Sequence, residues 1–243
     1  MRDGRFPETS WTNLLRAREL TPDGRVALSA LCGAYWFPVF AFIRRRGASA
    51  EQALDETQEF FTHLIEKNGL ASFDRARGTR FRSWLLGCVK NHLRHKAQHD
   101  ATEAAGGLIA FESLDAAAAE ARYQAEPSHG LTPERLYDRA FAESVLARVV
   151  TQVQAKYAAA GQTALFEALK GALTANVAEC PHSEVARQLG RSEGAIRKAA
   201  FDLREVYKNK LREEVARLVA APDCPDLQAL VIEEIGHLLA ALE

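Results

Sequence analysis

SEVARQLGRSEGAIRKAAFDLR, residues 183–204, is the stretch that decides how this chain is read. Ser183 can cap a short helix whose inward positions are Val185, Ala186 and Leu189. Gly190 stands where a sharp turn between two helices needs a positive φ. Ser192 caps a second helix, and Glu193 lies in its first turn, where the helix dipole favours a carboxylate. Ala186 is small enough to let the second helix cross closely, and Ile196 is placed to fill the angle between the two. Arg197, Lys198, Phe201 and Arg204 remain for the outer face. A helix presenting its N-terminal end and a row of cations in this way fits the major groove of DNA. The competing reading is an αα-hairpin in a bundle with solvated charges. The sequence of small, apolar, glycine and β-branched positions is more specific than a charge run and favours DNA binding.

Composition sets the frame around that motif. The chain has 243 residues, 47% of them hydrophobic, which gives room for one large domain or two small ones with workable cores. Ala, Leu, Glu and Arg dominate, favouring helix over strand. No apolar run is long enough to cross a bilayer, and the first residues, MRDGRFPETS, have no apolar signal region, so a cytoplasmic location is expected. Cys32, Cys88, Cys180 and Cys224 are scattered without CxxC pairing, as in a chain with reduced thiols.

The formal net charge of −1 hides a strong division. Residues 1–100 carry 16 Lys and Arg against 11 Asp and Glu, and residues 187–217 carry 9 against 5. Between them, residues 101–138 carry 2 against 7, and residues 218–243 carry 0 against 5. Two basic lobes, split by an acidic segment and followed by an acidic tail, suit a protein that meets nucleic acid at two separate places.

Apolar spacing predicts helices throughout the first lobe: Trp11–Leu20, Val26 to about Arg46 with a kink expected at Pro38, Ala50–Lys67 capped by Ser49, and Phe81 to about Gln98. Residues 100–138 lose that period and read as a flexible linker, with a short helix expected at Leu114–Ala125. The second lobe is expected to open with a helix from about Tyr137 to Ala159, followed by Thr163–Leu173 and the helix-turn-helix. Beyond Pro222 and Pro225, Leu227, Leu230, Val231, Ile235, Leu238, Leu239 and Leu242 recur at helical spacing behind Asp226. A helix that short must pack on something, and the basic second lobe is the simplest partner.

Two clusters could carry chemistry. Asp55, Glu56, Gln58 and Glu59 precede Phe60 and Phe61, and acidic and amide groups beside aromatics can dock a basic surface of a partner protein; a solvated face is the equal alternative. The 81–99 segment mixes Trp84 with Lys90, Asn91, His92, Arg94, His95 and Lys96, and the loop before it adds Arg75, Arg77 and Arg80. Cations interleaved with an aromatic and amides suit strand-separated DNA. Cys88, His92, His95 and His99 fall on one stripe, but ligands strung along one straight helix cannot converge tetrahedrally on an ion, so no metal is expected. No GxxxxGK[ST], GxGxxG, HExxH or GxSxG occurs and no paired-carboxylate pocket stands out, so no catalytic residue, enzyme activity or cofactor is expected.

The order of these parts resembles the extracytoplasmic-function sigma factors of bacterial RNA polymerase, of the sigma-70 superfamily, over most of residues 10–217. AEQALDETQEFFTHLIEK is similar to the family's core-binding helix, with Asp55, Gln58, Glu59, Phe60 and Phe61 matching its signature. FRSWLLGCVKNHLRHKAQ resembles the helix that reads the −10 promoter element, which implies that Asn91, His92, Arg94 and His95 face DNA and that loop 72–80 holds a flipped base. SEVARQLGRSEGAIRKAAFDLREVYK resembles the region that reads the −35 element. The sequence departs from the family pattern at Glu56, in the long stretch QAKYAAAGQTALFEALKGALTANVAECP, and in the tail after Arg217.

The expectation is therefore an all-α protein with two helical domains joined by a flexible linker. Residues 1–100 resemble region 2, 101–136 form an acidic linker, 137–219 resemble region 4, and 220–243 add an amphipathic helix. The acidic linker would thread the polymerase's basic channel as a polyanion mimic or simply be solvated. The implied partners are core RNA polymerase and promoter DNA, with control by a separate anti-sigma protein or by the chain's own C-terminal helix, and no membrane. The alternative is a helix-turn-helix regulator that acts without polymerase.

Overall fold

The computed structural model describes residues 22–67, 69–73, 80–99, 116–125, 130–173, 182–219 and 227–243. Every regular element among them is helical. The expected helix at Trp11–Leu20 lies outside the described residues.

Helix α1 (Pro22–Arg45) runs through Pro38 without a break. From Ala34 to Ile43 it is buried on all sides, as a segment reading AYWFPVFAFI must be. The chain turns at Gly47, whose φ of +101° ends the helix cheaply only because no Cβ is present. Helix α2 (Ala50–Glu66) opens on a capping box: Gln52 N–H donates to Ser49 Oγ at 3.1 Å, and Ser49 N–H donates to Gln52 Oε1 at 2.9 Å. A 3-10 turn (Gly69–Ser72) leads on toward helix α3 (Phe81–His99).

Helix α4 (Ala116–Ala125) occupies the stretch expected as linker. Along this length the connection is packed rather than loose. Arg44 grips Glu120 with two hydrogen bonds of 2.8 and 2.7 Å, Arg122 lies 3.7 Å above the Phe37 ring, and Ala119 is buried. The rest of the acidic stretch, 101–115 and 126–129, lies outside the described residues.

Helix α5 (Pro133–Ala159) starts earlier than its apolar period suggests, because Thr132 caps it and Pro133 sits in its first turn. At 27 residues it is about 40 Å long, enough to serve two cores. Its first half, with Leu136, Tyr137, Phe141 and Val145, closes the core built by α1–α3. Tyr35 stacks on Phe141 at 4.8 Å, and the buried Tyr137 hydroxyl donates to the Arg82 carbonyl at 3.1 Å. Burial holds both tyrosine hydroxyls far above their ordinary pKa.

The second half of α5, with Val149, Val153 and Tyr157, joins a separate core. Helix α6 (Thr163–Leu169), a 3-10 turn (Lys170–Leu173), helix α7 (His182–Leu189) and the first half of helix α8 (Glu193–Val219) complete it. Helix α9 (Leu227–Ala240) packs on the last turns of α8 and on α5. Its Val231 and Leu238 belong to the first core, not to the core under the helix-turn-helix. The tail therefore reaches the first lobe as well as its nearest neighbour in sequence.

Candidate nucleic-acid interface

The turn between α7 and α8 forms as its residues dictate. Gly190 has φ +61°, and Arg191 N–H donates to the Ala186 carbonyl at 3.0 Å across the turn. Ser192 Oγ accepts from Ala195 N–H at 3.2 Å, capping α8. Ile196 is fully buried between the helices, with Val185 and Ala186 on the facing side. Ser183 does not cap, because α7 already begins at His182.

Ser192, Arg197 and Lys198 are exposed, and Phe201 is 61% exposed, so one open stripe runs along the start of α8. Arg197 pairs with Glu193 at 2.9 Å, an exposed i,i+4 contact that a phosphate or base edge displaces at little cost. Arg204 lies half-buried at the end of the stripe. The exposed Arg191, beside Gly190, belongs to the same surface; its signal is a cation directly before the capping serine.

The first lobe presents a second surface on α2 and α3. On α2, Asp55 is exposed and Gln58 and Glu59 are half-buried, whereas the Phe60 and Phe61 rings are inside the core. The two aromatics thus hold α2 in place and the polar residues face outward. On α3, Asn91, Arg94 and His95 are exposed, and Asn91 accepts from Arg94 at 3.0 Å. His92 turns away from them, 5.7 Å from the Phe60 ring and 5.4 Å from the His63 ring. Burial pulls the His92 pKa below its ordinary value. Lys96 lies 2.5 Å from Glu59 and 4.0 Å from Glu56. Burial alone would raise the Glu59 pKa, but the Lys96 hydrogen bond and charge outweigh it and hold the carboxyl low. The Cys88 thiol is pushed up to about 11 by burial and stays protonated.

Arg75 and Arg77 lie outside the described residues. Arg80, the third cation of that loop, is engaged from α9: it pairs with Glu233, lies 3.2 Å from Glu234 and makes a 2.8 Å contact with the His237 ring. Next to it Arg82 pairs with Glu234 at 2.9 Å, deep between α3 and α9. Sequence reasoning missed this pairing, because no local pattern links residues 82 and 234.

Residues 36–101 match the family model of sigma-70 region 2. That span runs from the buried centre of α1 through α2 and α3, and so covers the whole of this second surface. The match supports a place in the sigma-70 family and a sigma-factor role in promoter recognition. No curated protein and no solved structure matches the chain. No helix among the described residues is long and apolar enough to cross a membrane.

Proposed function

We propose that this chain is a sigma factor of the extracytoplasmic-function type, which binds core RNA polymerase through α2 and directs it to a promoter. In this reading Asn91, Arg94 and His95 of α3 meet the −10 element, together with Arg75, Arg77 and Arg80 of the preceding loop. Ser192, Arg197, Lys198, Phe201 and Arg204 of α8 meet the −35 element in the major groove. The chain acts by binding and catalyses nothing itself. The supporting observation is the pairing, on one chain, of a region 2 match over 36–101 with a separately cored helix-turn-helix that leaves one stripe of α8 open.

Asp55 is the residue on which to test polymerase docking, because it is exposed on α2. Reversing its charge places a cation against a surface selected for an anion, a juxtaposition that costs several kcal/mol at an interface. Asp55→Arg is expected to abolish co-purification with core polymerase while leaving helicity and the thermal midpoint unchanged. Undiminished core binding by this variant refutes the assignment. Duplex binding that persists without any polymerase association favours the regulator alternative.

A further inference from the structure

Glu59, His63 and His92 bring three ligand atoms within 4.8 Å of one another, across the contact between α2 and α3. Glu59 and His63 are one helical turn apart on the same face of α2, and His92 reaches them from α3. The Nε2 atom of His92 is closed off from solvent and has no hydrogen-bond partner among the described residues. An imidazole nitrogen in that position costs free energy unless something fills it.

We propose that Glu59, His63 and His92 form a binding site for a divalent transition-metal ion of the zinc class. Two imidazoles and one carboxylate suit zinc and its first-row neighbours, whereas calcium and magnesium prefer all-oxygen shells. Bonds of about 2.0–2.2 Å place the donors of one ion roughly 3.3–3.5 Å apart. The three side chains therefore close by about 1–1.5 Å at most, within the reach of rotamer adjustment. The geometric objection to the α3 stripe does not apply, because the ligands come from two helices. Three protein ligands leave a fourth position open for water or for a group on a bound partner.

Lys96 is the competitor, since its ammonium stands beside Glu59 in the ion-free arrangement. It has a second carboxylate within reach in Glu56, 4.0 Å away, and can move there when an ion takes Glu59. A positive charge is thus already favoured at this spot, and a divalent ion replaces a monovalent one. Once bound, the ion ties α2 to α3, the two helices whose outer faces form the second surface.

The test uses the untagged full-length chain, stripped with chelator and titrated with Co2+ and then Zn2+. One equivalent of Co2+ is expected to give a visible ligand-field band that Zn2+ removes, and the thermal midpoint should climb with metal concentration. His63→Gln and His92→Gln should each weaken binding at least ~10-fold, because loss of an outer-shell partner alone costs that much. Lys96→Ala should tighten binding by removing the competing cation, and Cys88→Ser should leave it unchanged. If His92→Gln fails to fold, His63→Gln and Lys96→Ala still decide the matter. The proposal is overturned if no stoichiometric band appears or if His63→Gln binds as tightly as the parent. Loss of the band in Cys88→Ser also overturns it, by moving the ion to the other stripe.

Discussion

Arg82 and Glu234 lie 2.9 Å apart with side chains only 10% and 7% exposed, and they tie the start of α3 to α9 across 152 positions of sequence. The contact is an ion pair by distance, with Asp138 a further 3.6 Å contact of Arg82. Arg80 and Glu233 repeat the pairing one step further out, with 36% and 54% exposure. Glu234 also lies 3.2 Å from Arg80, so the two pairs form one network whose inner and outer members differ chiefly in their access to water.

Removing Glu234 leaves the buried Arg82 guanidinium with Asp138, 3.6 Å away, as its remaining counter-charge, and also takes one carboxylate from Arg80. Breaking a buried pair in this way costs roughly 3–5 kcal/mol, and Asp138 keeps the expected loss for Glu234→Ala near the lower limit. Glu233→Ala breaks an exposed pair and should cost about 0–1 kcal/mol. Urea unfolding with an unchanged m-value measures both. Equal losses from the two variants would show that burial does not govern this contact.

Glu233 also occupies a cation assigned to DNA in the proposed function. Glu233→Gln should take from Arg80 one of its two carboxylates, leaving Glu234 at 3.2 Å, and so tighten binding to single-stranded −10 DNA modestly with little effect on the fold. Arg80→Ala tests the assignment directly, and unchanged −10 affinity and salt slope in that variant would remove Arg80 from the DNA surface.

Arg197 and Asn91 should separate the two DNA faces. Arg197→Ala is expected to cost roughly 1–3 kcal/mol on duplex −35 DNA if its guanidinium reads a base. Asn91→Ala should spare duplex binding and reduce strand opening, which permanganate footprinting reports. Loss of duplex binding from both variants would mean that α3 meets closed DNA.

Gly190 has φ +61° in the turn, and a Cβ built there meets nothing within 4 Å. The penalty for Gly190→Ala is therefore backbone strain alone, about 1–2 kcal/mol. Gly190→Asn should cost less, since asparagine visits the left-handed region more readily. Thermal unfolding of the three proteins checks the order Gly, Asn, Ala.

Glu120 should set part of the acid limit of stability. The Arg44 hydrogen bonds, helped by Gln124 at 2.8 Å, hold its pKa below the ordinary 4.5. The unfolded chain then binds the proton first as pH falls. The stabilisation from this group is complete above 4.5 and disappears as pH drops through the depressed value. Glu120→Gln should flatten the stability curve below pH 4.5, whose upper bound is that ordinary value, and leave its slope at neutral pH unchanged. An identical acid limb in parent and variant would exclude the Arg44–Glu120 pair as a cause.

The local devices of this fold were legible in the amino-acid order. Ser49, Gly190, Ser192 and Ile196 act within one or two helical turns, so spacing alone announces what each does. The Thr132–Pro133 start of α5 was equally local, but the linker's broken period hid it. The helical period of 50–67 sets Phe60 and Phe61 among its inward apolar positions, and both rings are buried. Tertiary structure alone decided the rest. The period of a helix shows which of its faces is apolar, but not which distant helix covers that face. That choice rests on the joint packing of α1–α3, α5, α8 and α9. It brings Glu234 to Arg82 and His92 to His63, because the side chains that meet there are fixed by where two cores share one helix rather than by any separation along the chain.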